Sequence, residues 1–218
     1  MLNILNKIFS STKNLNSINH RFLKLRRDTN IEKIFNAIES YSEKAEIRYV
    51  GGCVRKIINK EKVDDIDLAT NIEPRKVKEA LENKNINYFE TGIEHGTITA
   101  LIENDKFEIT SLRSDIKTDG RHAEIEFTTD WIKDAERRDF TINSIYADIN
   151  GNLFDPFNGK KDLEDGLIKF VGEPEKRIKE DYLRILRYFR FFALYSKKDH
   201  HAETKKIIKK NIVGIKEL

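Results

Sequence analysis

The chain of 218 residues is long enough for one large domain or two small ones. With 39% hydrophobic residues, 35% charged residues, thirteen Phe, seven Tyr and one Trp, it is polar but carries enough core material to exclude a disordered polypeptide. The single Cys53 excludes a disulfide framework and a thiolate-rich zinc site, no run of 18 apolar residues is present to cross a membrane, and a net charge of +3 leaves any nucleic-acid argument to how the charges are distributed.

Residues 1–30 read as a basic N-terminal arm. Up to residue 27 there is no Asp or Glu, while Lys7, Lys13, Arg21, Lys24, Arg26 and Arg27 are present. Such a segment suits an organellar targeting peptide, or a flexible or helical arm of an intracellular protein. It lacks the compact apolar core and small-residue cleavage site of a secretory signal. The expected compartment is the cytoplasm, with the mitochondrion as the alternative.

From Ile31 the spacing of Ile31, Ile34, Phe35, Ile38 and Tyr41 predicts an amphipathic helix. A short strand, Ile47 to Val50, stops at Gly51-Gly52, and a helix is expected over Val54 to Asn59. Ile66 to Ala69 reads as a second strand, and Arg75 to Lys84 as a helix behind Pro74. Thr97 to Ile102 and Lys106 to Leu112 form a predicted hairpin. After Trp131 the spacing turns mainly helical, residues 151–172 read as a loop-and-strand connection, and Glu175 to Tyr195 as the longest helix. The order implies an α+β protein, a mixed-sheet head followed by a helical region. No internal repeat is evident.

Two segments carry chemistry. In Asp65-Ile66-Asp67 an extended backbone would send both carboxylates to one face, with Cβ atoms roughly 6.6 Å apart, and Ile66 to the other. Carboxylates so placed can converge on Mg²⁺, which shares its coordination with substrate phosphates, although a solvated acidic edge fits the same pattern. Gly51-Gly52, between a strand and a helix start, would let backbone N–H groups approach an anion, with Arg55 adding a charged donor; alone such a turn is more often just a tight connection. Together they suggest one element for a polyphosphate and another for its metals.

Gly51-Gly52-x-Val54-Arg55 followed by Asp65-x-Asp67-Leu68-Ala69-Thr70 resembles the active-site signature of class II tRNA nucleotidyltransferases and bacterial poly(A) polymerases, within the DNA polymerase beta nucleotidyltransferase superfamily. The resemblance runs on through Asp119-Gly120-Arg121-His122, Arg137-Arg138-Asp139-Phe140-Thr141-Ile142-Asn143, Asp155-Pro156, Gly159 and Glu180-Asp181-x-x-Arg184-x-x-Arg187, covering about residues 31–195. The stretch from Thr129 to Ser144 is especially similar to the CCA-adding enzymes of α-proteobacteria and mitochondria. Two departures stand out: Lys56 occupies a position where the family commonly has Asp, and the chain is shorter than family members with further helical domains.

The resemblance implies a nucleotidyltransferase head over 31–155 and the start of a helical neck over 156–218. It makes Asp65 and Asp67 the metal-binding catalytic pair, with Glu108 the candidate third carboxylate; an edge-strand glutamate facing solvent is the competing reading. Gly51, Gly52 and Arg55 would hold the triphosphate, and Arg138 and Asp139 the nucleotide around its ribose. Asp119 to His122 would be a flexible loop, and Arg113 would pair with a neighbouring acid.

On a single long helix Asp181, Arg184, Arg187 and Arg190 trace one slanted stripe, with Tyr182, Leu183, Ile185, Leu186, Phe189 and Ala193 on the opposing, core-packing face. Asp181 and Arg184 are neighbours at i,i+3, which suits an ordinary surface salt bridge. They also suit base reading, since a carboxylate accepts from the amino group shared by cytosine and adenine while Arg donates to the ring acceptor. Guanine and uracil would set two acceptors face to face, costing about 1–3 kcal/mol. By resemblance, these two residues select CTP and ATP, with Arg187 and Arg190 reaching the nucleotide lower down.

The expected activity is template-independent, Mg²⁺-dependent addition of CMP and AMP to the 3′ end of tRNA with release of pyrophosphate. The expected partners are CTP, ATP and the RNA 3′ end, with no membrane, and a second subunit or further C-terminal domains for gripping tRNA. A poly(A) polymerase, an enzyme adding only CC or only A, and a non-catalytic nucleotide- or RNA-binding fragment are the alternatives.

Overall fold

The computed structural model describes residues 17–118 and 123–218, so the Asp119 to His122 loop lies outside the described residues. Helix α1 (17–28) is the inner half of the basic arm, and it is docked: Ile18 and Phe22 are buried, and Arg26 pairs with Glu32. Helix α2 (Ile31–Glu39) buries the predicted stripe of Ile31, Ile34, Phe35 and Ile38. Tyr49 packs between the two helices, its ring centroid 5.0 Å from Phe22 and 5.1 Å from Phe35.

Strand β1 (Ile47–Val50) leads into α3 (Gly52–Ile58), which begins at the second glycine, two residues ahead of the expected start. Then come β2 (Ile66–Thr70), α4 (Pro74–Glu82) with proline in its first turn, β3 (Asn87–Gly92), and the predicted hairpin of β4 (Thr97–Ile102) and β5 (Asp105–Ser111). Strands β6 (Arg113–Thr118) and β7 (Ala123–Phe127) form a separate two-stranded ribbon. Helix α5 (Trp131–Arg137) is capped by Asp130, whose carboxylate accepts from Ile132 N at 2.8 Å. A single 3₁₀ turn (Thr141–Asn143) precedes the short strands β8 (Tyr146–Ala147) and β9 (Leu153–Phe154).

The main sheet has seven strands in the order β3-β4-β5-β2-β1-β8-β9. Every pairing is antiparallel except β2 with β5, because the chain leaves β2, passes through α4, β3 and β4, and returns beside it. Ile66 and Leu68 of β2 and Phe107 and Ile109 of β5 join one large core with α2 and α4. Side-chain alternation sends Asp67 and Glu108 to the other face, where Ala69, Val50 and Leu112 pack with Ala135 and Tyr146.

The C-terminal part corrects two expectations. Residues 151–172 contain a helix, α6 (Gly159–Asp165), whose first residue lies so close to the 3₁₀ turn that a Cβ on Gly159 would stand 2.0 Å from Thr141 O. The predicted long helix is two helices, α7 (Pro174–Glu180) and α8 (Leu183–Tyr195), followed by α9 (Ala202–Asn211). The break is at Asp181, which is extended (φ −156°, ψ 108°) and whose carboxylate accepts from Leu183 N at 3.0 Å, opening α8.

The break also changes the faces. Arg184, Ile185, Tyr188 and Phe191 are the buried residues of α8, whereas Leu186 and Phe189, expected in the core, are 47% and 44% exposed. The helix is anchored by aromatic contacts: Phe140 lies 4.8 Å from Phe170 and 5.5 Å from Phe191, and Phe170 stacks on Tyr188 at 5.8 Å.

Candidate active site

The strand β1 ends in a turn that only glycine adopts readily, since Gly51 has φ 61° and ψ −115°. Gly52 then starts α3 against β2: a Cβ there would be 3.2 Å from Asp67 Oδ2. The glycine turn and the second carboxylate of Asp65-x-Asp67 are therefore in contact across the two elements. Glu108 is in register with Asp67 on the neighbouring parallel strand and shares its face. Asp65 lies in the bend before β2 and is exposed, so it is not a strand residue alternating with Asp67 as expected.

Burial raises the pKa of Asp67, and the charge of Glu108 raises it further, with Asp65 adding to the effect against the opposing pull of Arg138 and Arg55. Among the described residues no three His, Cys, Asp or Glu side chains are already gathered into a cage for a metal ion. The chemistry of the donor set nonetheless fits a hard divalent cation, because oxygen donors cluster where their own charge is incompletely compensated.

Asp67 and the glycines floor a cleft of about 560 Å³, and Arg55, Arg138, Asp139, Asp181, Arg184, Arg187 and Arg190 line it. Ten predicted site residues from four separate segments thus meet in one cavity; Asp65 and Glu108 stand outside that lining.

Arg138 is held rigidly. Its Nε donates to Asp134 Oδ2 at 3.1 Å and to Tyr146 Oη at 3.0 Å, and its Nη2 donates to Asp134 Oδ2 at 3.0 Å. Its Nη1 would be 3.6 Å from a Cβ on Gly51, which places the guanidinium beside the glycine turn. Asp134 is buried, yet the neighbouring Arg138 and Arg137 charges outweigh the burial and hold its carboxyl well below the usual carboxylate range. Asp139 accepts from Phe140 N at 2.9 Å and Asn143 Nδ2 at 2.8 Å through Oδ1, and from Arg187 Nε at 2.6 Å through Oδ2.

Asp181 and Arg184 both face the cleft, but they do not form the expected i,i+3 pair of one helix. Arg184 pairs with Glu180 at 2.7 Å, and it also donates to the carbonyls of Arg177 at 2.8 Å and Arg137 at 3.2 Å. Arg187 and Arg190 follow on α8, each over the ring of Phe191, at 5.4 and 5.9 Å. Arg55 approaches the same ring from α3 at 4.8 Å and donates to Asn143 Oδ1.

The sequence matches the Poly A polymerase head domain over residues 47–169, more than half of the chain. The chain belongs to that family. It is 51% identical over 176 residues to the human protein named CCA tRNA nucleotidyltransferase 1, mitochondrial, a match spanning 79% of this chain and 41% of the relative. The CCA-adding enzyme of Lactobacillus helveticus is 40% identical over 174 residues, 74% of this chain and 43% of that one. The fold resembles that of the Bacillus stearothermophilus CCA-adding enzyme solved in complex with CTP, with a TM-score of 0.73 and 28% identity over 85% of this chain and 43% of that one. The chain spans about two fifths of the length of the curated relatives it matches.

Nucleotidyltransferases of this family work with divalent metal ions. In this Poly A polymerase head domain several residues that hold the cleft arginines receive no role from sequence reasoning, although Asn143 and Glu180 stand in its motifs. Asn143, Asp134, Tyr146 and Glu180 organise the arginines, and their partners lie up to 88 positions away in sequence. Arg113 was expected to pair with an acid; instead its guanidinium donates to the carbonyl of His95, while its backbone N–H donates to Asp134 Oδ1 at 3.3 Å. Burial, with Arg137 adding to it, pushes the Arg113 pKa down to about 10. Lys56, the departure beside the glycine turn, pairs with Asp64 at 3.2 Å in the loop before β2.

Proposed function

We propose that this chain is the nucleotide-handling part of a template-independent, Mg²⁺-dependent RNA nucleotidyltransferase that adds CMP and AMP to the 3′ end of tRNA. The observation that carries the reading is the contact of Gly52 with Asp67, in register with Glu108, on the floor of a cleft walled by arginines from α3, α8 and the α5 end. In the reaction the RNA 3′-hydroxyl attacks the α-phosphorus of CTP or ATP, its proton is lost, the bond from that phosphorus to the bridging oxygen breaks, and pyrophosphate leaves. Residues 31–155 form the catalytic head and 156–218 the helical neck.

Asp67, with Asp65 and Glu108 as flanking carboxylates, would hold the divalent ions. When bound, those ions would activate the attacking oxygen and neutralise charge on the phosphates. Gly51 and Gly52 let the triphosphate approach the backbone at the start of α3, and Arg55 supplies positive charge behind them. Arg138, immobilised by Asp134 and Tyr146, presents Nη1 to the phosphate and ribose beside Gly51, with Asp139 fixing Arg187 next to it.

Asp181 accepts from the exocyclic amine of cytosine or adenine. Arg184 has five N–H donors, and the contacts to Arg177, Glu180 and Arg137 engage three, leaving two for the base. Arg190 adds charge at the cleft mouth. The machinery forms no covalent intermediate; it positions and stabilises charge. The site of action is the cytoplasm or, as the mitochondrial name of the 51%-identical relative favours, the mitochondrion.

The family match to a Poly A polymerase head domain keeps one second reading in play, AMP addition alone. The deciding experiment incubates the 218-residue chain with Mg²⁺, a tRNA lacking its 3′ CCA, and each labelled nucleotide separately, beside the Asp65→Ala, Asp67→Ala variant. CTP-dependent extension followed by a single AMP, absent in the variant, is expected. Long AMP tails without CMP would establish the second reading. Nucleotide binding with no extension or pyrophosphate release would make the chain a binding fragment.

A further inference from the structure

Asn143 stands in the middle of a hydrogen-bond chain that crosses the cleft from the glycine-turn helix to α8. Its Oδ1 accepts from Nη1 of Arg55, and its Nδ2 donates to Oδ1 of Asp139 at 2.8 Å. The other oxygen of Asp139 accepts from Nε of Arg187 at 2.6 Å. Arg55, Asp139 and Asn143 are all buried, so the two bonds made by the amide are largely shielded from solvent, while the Asp139–Arg187 bond is part-buried at the cleft wall.

The amide is suited to this place because it accepts with one atom and donates with the other. A carboxylate at 143 would face Asp139 acceptor to acceptor, and a hydroxyl is too short to span both partners. The 3₁₀ turn carrying Asn143 is itself pinned by the close approach of Gly159 to Thr141, and Asn143 N donates to Phe140 O at 2.9 Å. The amide therefore cannot follow one partner without pulling on the other.

We propose that Asn143 is a positioning residue that couples Arg55, on the triphosphate side, to Arg187, on the ribose and base side, so that the two ends of CTP or ATP are recognised as a unit. The inference deepens the reading of the cleft given above and rests on it. Arrival of a triphosphate at Arg55 changes the hold of its guanidinium on Asn143, and the Asn143–Asp139 bond passes that change to the orientation of Arg187.

The test is a double-substitution cycle nested in position 143. CTP affinity with Mg²⁺ is measured by calorimetry for Arg55→Lys, Arg187→Lys and both together, in the Asn143 protein and again in Asn143→Ala. With Asn143 the effects are expected to depart from multiplicativity by about threefold or more, and in Asn143→Ala to multiply to within about 1.5-fold. Asn143→Ala alone is expected to raise KM for both nucleotides about tenfold with a smaller change in kcat. Where Asn143→Ala melts below the assay temperature, Asn143→Ser, whose hydroxyl is too short to span Arg55 and Asp139 but keeps the site polar, replaces it in the cycle. Coupling that persists undiminished without the amide, or is missing from the parent protein, overturns the inference while CTP binding by the parent leaves the site reading standing. A parent protein that binds neither CTP nor ATP overturns both.

Discussion

Asp67 occupies a poor position for a carboxylate considered on its own. Burial and the in-register Glu108 both raise its pKa, so its charged form is less favourable in the folded chain than in the unfolded one. A raised folded pKa means that the stability tied to this group is present at low pH and is lost as pH rises through that pKa, leaving the ionised carboxylate a burden at neutral pH. Asp67→Asn should therefore melt roughly 1–3 °C higher than the parent at pH 7. The gap should close in acid, where the parent carboxyl is itself neutral. The same variant should lose turnover by about 100-fold or more. A thermal melt at pH 7 and pH 3.5 beside an extension assay checks both; a variant less stable at pH 7 would contradict the electrostatic account. Sequence reasoning reached Asp67 through its spacing from Asp65, but not this conflict, which depends on Glu108 in a strand far along the chain.

The joint between α7 and α8 shows where element-level reasoning stops. From Glu175 to Tyr195 there is no glycine or proline, and the apolar spacing supports one helix. The interruption comes from the Asp181 carboxylate capping Leu183 N and from Arg184 turning inward to Glu180 and two carbonyls. An arginine buried in that way reads as a surface residue on any helical wheel. Arg184→Ala is expected to cost about 1–3 kcal/mol, measured by urea unfolding, because charge-assisted hydrogen bonds to buried acceptors are lost. Arg184→Lys should recover only part of that, since a single ammonium cannot span Glu180 and both carbonyls. If Arg184→Ala unfolded at the parent's urea midpoint, Arg184 would not be clamping the joint.

At the scale of the molecule, the cleft exists because α8 is held against the sheet-bearing head. Phe140, wholly buried, joins the RRDFTIN segment to Phe170 and Phe191. Phe140→Ala should destabilise the chain by about 3–5 kcal/mol by denaturant titration. It should also reduce the thermal stabilisation given by CTP, because Arg187 and Arg190 lose their placement relative to Asp67. Retained CTP stabilisation would mean that α8 does not need this anchor. The outer side of α8 leaves Leu186, Phe189 and Leu194 exposed, so its apolar residues are not all spent on the head. No described helix is long and apolar enough to cross a membrane.

The amino-acid sequence by itself determined the parts governed by local rules: the α2 stripe, the β4–β5 hairpin, the glycine-to-helix turn, and the ordered motifs whose residues meet in the cleft. Each depends on side-chain periodicity or backbone freedom within a few residues. Tertiary structure decided how those parts work together: the parallel β2–β5 pairing that sets Glu108 beside Asp67, the Asp134 network that fixes Arg138, the break at Asp181, and the Asn143 bridge from Arg55 to Asp139. Those features depend on groups far apart in the chain, brought together by burial, where an unpaired charge or amide is costly enough to dictate its own partner.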